Sequence, residues 1–157
     1  MSMEYFNSPE RIDALQIIAH SWRGTPFMPN ASVKGDGVSC QKLVGMIYIE
    51  CGVFMPGFVV PEGPMDWGNA NKESIIANWI EGELEGRGAM RVLDYPLEKI
   101  APGDLIGFKI GGCVHHLGIA LQENKFIHCF RGEGVKLSRL DDATYMSRIN
   151  KVWRPLI

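Results

Sequence analysis

From Arg91 onward the apolar residues fall on alternate positions in short runs divided by turn residues, and this period of two commits the second half of the chain to β-structure. The runs are Leu105 to Ile110, Val114 to Leu121, Lys125 to Phe130, Gly134 to Ser138 and Lys151 to Ile157, with Pro102-Gly103-Asp104 as the turn before the first. Such short connections favour an antiparallel sheet. The first half carries helical spacing instead. Ser8-Pro9-Glu10 reads as an N-cap, a first-turn proline and a dipole-favoured acid, with Ile12, Leu15, Ala19 and Trp22 as the inner face of a helix ending at Gly24. Thr25 to Lys34, with Pro26, Pro29 and Asn30, is an irregular connection. Gly52 to Ala70, with Pro56, Pro61, Pro64 and Trp67, reads as a loop, either the wall of a substrate groove or a packed surface loop. Glu73 to Glu85 follows as an amphipathic helix with Ile75, Ile76, Trp79 and Ile80 inward, weakened by Gly82 and ended by Gly86 and Gly88. Helices first and a sheet after define an α+β class, and 157 residues suit one domain spanning 1–157.

The chemistry is concentrated in Lys34 to Gly52, KGDGVSCQKLVGMIYIECG. Leu43, Val44, Ile47, Tyr48 and Cys51 form one face of a helix that Gly52 can end in the left-handed conformation. Ser39 is its expected N-cap, which puts Cys40 at the first helical position. A thiol there feels the positive end of the helix dipole, which lowers its pKa and favours the nucleophilic thiolate. The competing reading is a buried, inert cysteine. His20, near the end of the first helix, reads as a dipole-compatible surface residue.

Composition narrows the function. A net charge of −2 with no basic run argues against a nucleic-acid partner, and neither a membrane-surface signal nor an apolar run long enough to span a bilayer is present. The N-terminus has no secretory signal pattern, so the chain is expected in the cytoplasm when made. Its four cysteines, Cys40, Cys51, Cys113 and Cys129, lack any C-x-x-C pair, and free thiols in a reducing compartment are expected.

Histidines in GGCVHHLGIAL and NKFIHCFRGEGV follow the helix-start cysteine, which is the order of a papain-like thiol hydrolase. Parity chooses among them. If Gln122 to Asn124 is the hairpin loop, Leu121 pairs with Lys125 and Gly118 with His128, so His116 shares a face with His128 at one diagonal step and His115 lies opposite. Gly118 would leave room for the ring of His128. Zinc ligation by Cys113, His116, His128 and Cys129 is the rival reading, and the same alternation opposes it.

Trp22 to Phe27 (W-R-G-T-P-F), Lys34 to Val44 (K-G-x-G-V-x-C-x-x-L-V), Pro102 to Leu105 (P-G-D-L), His116 to Ile119 (H-x-G-I) and Phe126 to His128 (F-I-H) together resemble the NlpC-type family of cell-wall cysteine peptidases. Within it the chain looks most like the compact form of phage and prophage tail regions. The resemblance implies a papain-like fold with the nucleophile helix packed on the sheet. Cys40 would be the nucleophile, His116 the base and acid, and His128 the group that orients His116, with no metal or organic cofactor. It implies action on peptidoglycan stem peptides, commonly between D-glutamate and a diamino acid, with phage tail proteins as further partners and release with the virion or on lysis. Two positions depart from the pattern. Ser39 stands where the family usually has Asp, and Phe27 where many members have a Tyr whose hydroxyl helps the oxyanion site. The oxyanion would then rest on the amide of Cys40 and its helix start. Those departures keep open a weak or inactive tail-assembly or wall-binding module; a third reading is an acyltransferase on the same fold, which differs only in what attacks the acyl-enzyme.

Overall fold

The computed structural model describes residues 3–60, 78–110 and 113–157, with residues 110 and 113–115 described by their backbone alone. The expected Pro61, Pro64 and Trp67 of the loop, Ile75 and Ile76 of the third helix, and the side chains of Cys113 and His115 lie outside the described residues.

The first helix, α1, runs Pro9–Ser21, capped by Ser8, whose hydroxyl accepts from the amide of Arg11. Ser32–Val33 (β1), inside the segment expected to be irregular, pairs antiparallel with Gly37–Val38 (β2) just beyond it. Two-residue strands carry no periodicity, which is why sequence spacing does not reveal them. The helix α2 spans Cys40–Cys51 and ends at Gly52 in the left-handed conformation, φ 90°. Beyond it Phe54 packs on Tyr48 and stacks on Phe58, ring centroids 5.4 and 4.3 Å apart, so the described start of the loop packs against the core.

Asn78 and Trp79 are helical, but Ile80–Glu85 widens into a π-helical segment, closed by the amide of Gly86 on the carbonyl of Glu81 at 2.8 Å. Local spacing predicts an ordinary turn here. Tertiary tethers act on the segment instead: Glu81 pairs with Lys151, Glu85 accepts from the indole of Trp153 at 3.0 Å, and Ile80 and Leu84 are buried.

Six strands follow: β3 Met90–Val92, β4 Leu105–Ile110, β5 Cys113–Ala120, β6 Lys125–Phe130, β7 Gly134–Arg139 and β8 Ile149–Pro155. They form one antiparallel sheet in the order β3-β8-β4-β5-β6-β7. A short helix, α3, Ala143–Met146, links β7 to β8. The class is α+β, as expected.

Alternation along the strands divides the interior. Leu117, Ile119, Ile127 and Cys129 face α2, where they meet Leu43, Val44, Ile47 and Tyr48, joined by Leu15, Ala19 and Trp22 of α1. On the opposite face Ile106, Phe108, Ala120, Phe126 and Leu140 form a smaller cluster against Tyr145 and Ile149. The Pro102-Gly103-Asp104 turn is bound to this frame. Asp104 is 1% exposed and takes a two-pronged contact from Arg154, 2.9 Å on each oxygen, while the hydroxyl of Tyr48 donates to the carbonyl of Gly103 at 2.8 Å. Burial pushes the Asp104 carboxyl above its ordinary range, and the Arg154 guanidinium and the Ala101 amide pull it back. The P-G-D-L block therefore anchors the sheet to α2.

Candidate active site

Ser39 is buried and extended, with φ −93° and ψ 170°, and its hydroxyl accepts from the amide of Lys42 at 3.4 Å, which starts α2 at Cys40. The segment leading to Cys40 is held by Pro26 to Met28. The amide of Val38 donates to the carbonyl of Pro26 at 3.0 Å, and that of Met28 to the carbonyl of Val38 at 3.1 Å. Phe27, between them, is bridged to Val38 and packs half-buried against the core.

The hairpin between β5 and β6 has the expected register. The amide of Leu121 donates to the carbonyl of Lys125 at 2.8 Å, and Gly118 pairs with His128. Paired amides then fall at Leu121 and Ile119, and the next would be Leu117 facing Cys129. The ladder stops first, at Gly118 and His128. The amide of Leu117 donates instead to the sulfur of Cys40. The thiol therefore lies against the peptide that joins His116 to Leu117, where β5 and β6 part. A register shift in β4 beside Phe108, the residue paired with His116, deforms the sheet at the same place.

His116 and His128 lie on one face of the β5–β6 hairpin, and Nε2 of His116 lies 3.0 Å from Nδ1 of His128. Nε2 of His128 lies 2.7 Å from the hydroxyl of Ser138. Phe130 stacks flat on the His116 ring, 4.3 Å between centroids and 4° between planes. Phe126, Phe130 and Tyr145 surround His128 at 4.5, 4.6 and 5.3 Å. Burial in this aromatic shell, aided by the charge of Lys136 directly across the ladder, lowers the His128 pKa to about 3. His128 is therefore a neutral imidazole at ordinary pH.

Two expectations need correction. Position at a helix start does not by itself give Cys40 a low pKa. Cys40 keeps partial exposure, but the protein packed around its sulfur pushes the thiol up to about 11, and the amides of Leu117 and Gln41 offset only part of that desolvation. The space left by Gly118 is also used differently. A side chain there would come within 2.9 Å of Phe126 and 3.5 Å of Phe108, so those rings, not His128, occupy it.

His128 and Cys129 look to opposite faces, the thiol of Cys129 donating to the carbonyl of Val38 at 3.4 Å on the α2 side. Among the described residues no three His, Cys, Asp or Glu side chains gather as a metal site. Ser138 was not singled out from sequence, though the signal existed. If Arg131 to Glu133 is the turn, His128 pairs with Lys136 and Phe126 with Ser138, which places Ser138 one diagonal step from His128 on its own face.

A helix-start cysteine against an antiparallel sheet bearing a histidine relay is a papain-like architecture. The chain belongs to the NlpC/P60 family, whose family model matches residues 24–154. It superposes on an NLP/P60-family protein similar to a lipoprotein from Staphylococcus aureus with a TM-score of 0.60 at 19% identity, over 99% of this chain and 44% of that one. It superposes on the NlpC/p60 domain of the peptidoglycan hydrolase SagA with a TM-score of 0.53 at 17% identity, over 89% and 95% of the two chains. RipD of Mycobacterium tuberculosis, a non-catalytic NlpC/p60 domain protein adapted to peptidoglycan binding, superposes with a TM-score of 0.54 at 14% identity, over 96% and 100%. At these identities the likeness is one of fold, and the chain spans less than half of the staphylococcal protein. No curated protein matches the chain. Among the described residues no helix is long and apolar enough to cross a membrane.

Proposed function

We propose that this single domain is a thiol-dependent hydrolase of the peptide bonds in bacterial peptidoglycan, acting between D-glutamate and a diamino acid of the stem peptide. The observation that carries the reading is the hydrogen-bonded sequence from His116 through His128, set beside a helix-start cysteine whose sulfur touches the peptide of His116. Nε2 of His116 is engaged by His128, so Nδ1 is the nitrogen that serves the thiol. It takes the proton of Cys40 as the sulfur attacks the scissile carbonyl carbon, giving a tetrahedral oxyanion held by the amide of Cys40 and the start of α2. Collapse breaks the C–N bond, and His116 returns the proton to the leaving amine. Water, deprotonated by His116, then attacks the thioester, releasing the acid and restoring the thiol. His128 orients His116 throughout. Delivery with a phage tail, or release on lysis, would bring the enzyme to the wall.

Incubation with purified muropeptides, read by mass spectrometry, tests the reading. Product ending in D-glutamate should form with the protein and vanish in Cys40→Ala; equal turnover in that variant would refute it. A second reading, a wall-binding module with little turnover, is favoured by Phe27, which lacks the Tyr hydroxyl, and Ser39, which lacks the Asp charge, that the family resemblance leads one to expect. It predicts retention on peptidoglycan with intact muropeptides.

The same departure gives a rate prediction. Phe27→Tyr should raise turnover, on the order of 10-fold to 100-fold if the new hydroxyl reaches the oxyanion, because one donor there is worth up to about that much. Unchanged or slower turnover would place the oxyanion out of reach of this side chain.

A further inference from the structure

Building on the hydrolase reading, we propose that Ser138 is a positioning residue: by accepting the Nε2 proton of His128 it selects the tautomer in which His116 presents a bare Nδ1 to Cys40. A neutral imidazole carries one N–H, so the chain from Ser138 through His128 to His116 can run in two directions. If the hydroxyl of Ser138 donates to Nε2 of His128, then Nδ1–H of His128 donates to Nε2 of His116. The proton of neutral His116 then sits on Nδ1, where it blocks transfer from the thiol. If Ser138 accepts, Nδ1 of His128 accepts from Nε2–H of His116 and Nδ1 of His116 is bare.

Catalysis requires the second direction. Once His116 takes the thiol proton both of its nitrogens donate, so Nδ1 of His128 must accept and its one proton must lie on Nε2. His128 is wholly buried, and the hydroxyl of Ser138 lies 2.7 Å from that nitrogen. Ser138 itself is half-buried on β7, so its own hydroxyl proton can turn to solvent while its oxygen accepts. The charged group facing His128 is Lys136, directly across the ladder, and a cation offers no acceptor. Without Ser138, a proton on Nε2 would be buried with that acceptor gone, and moving it to Nδ1 reverses the chain.

Two-bond nitrogen–proton correlation spectra of histidine-labelled protein at pH 7.5 read the tautomers directly. His116 and His128 should both show a protonated Nε2 and a bare Nδ1. In Ser138→Ala the proton of His128 should move to Nδ1, and alkylation of Cys40 by iodoacetamide, followed on the Cys40 peptide by mass spectrometry, should slow about 10-fold to 100-fold. Ser138→Thr should restore both. A protonated Nδ1 on His128 in the unaltered protein overturns the proposal, as does an Ala variant with unchanged tautomers and reactivity. Loss in Ala without recovery in Thr marks packing alone and also overturns it. Neither readout involves peptidoglycan, so failure to cleave muropeptides would count against the hydrolase reading and leave this result standing.

Discussion

His116→Ala should leave Cys40 with about a hundredfold less thiolate at pH 7 than an ordinary cysteine, because its thiol lies near 11 against an ordinary 9.0. In that variant the alkylation rate should climb about tenfold per pH unit toward pH 11, since each unit below the pKa removes nine-tenths of the thiolate. In the unaltered protein His116 can take the proton locally, and Cys40 should alkylate readily at pH 6 to 7. His115→Ala should behave like the unaltered protein. If the unaltered protein also gains tenfold per unit up to pH 11, His116 takes no proton from the thiol and the proposed mechanism fails. On the proposed mechanism the desolvated sulfur makes His116 indispensable, because the imidazole, rather than the helix start, would have to generate the thiolate.

The second large effect concerns acid. His128 has a folded pKa of about 3 against an ordinary 6.5, so between those values the unfolded chain binds a proton that the folded protein refuses. Stability contributed by the neutral ring is present above pH 6.5 and is lost as pH falls toward 3, by up to about 1.4 kcal/mol per unit. Urea unfolding between pH 7 and pH 4 should show a slope steeper by about one proton than in His128→Gln. Asp104, whose carboxyl is raised by burial, acts in the opposite sense, but it is common to both proteins and cancels in the difference. Parallel slopes would mean that His128 titrates as an ordinary histidine.

Local rules reached far into this fold where one rule acted alone. Ser8, Ser39 and Gly52 bound α1 and α2 as their capping chemistry requires. The loop from Gln122 to Asn124, with Glu123 and Asn124 at positive φ, fixes the β5–β6 register and brings His116 beside His128. What spacing could not disclose depends on distant partners. The π-helical turn at Ile80 is drawn by Lys151 and Trp153, some seventy residues away. The raised thiol of Cys40 reflects the crowd that β5 and its neighbours place around a helix start which, by itself, would lower it. Ser138 was accessible in principle, since the parity argument that selected His116 applies equally to the next hairpin.

The placement of β8 between β3 and β4 bears on biosynthesis. Met90 pairs with Pro155 and Leu105 with Trp153, so neither β3 nor the free side of β4 has its neighbour until β8 has been made. The helix α2 and the β4 to β7 meander can dock earlier, since those strands are consecutive. A nascent chain arrested before Ile149 should therefore expose the Leu105 edge to other chains, a period of risk that ends when β8 slots into the gap.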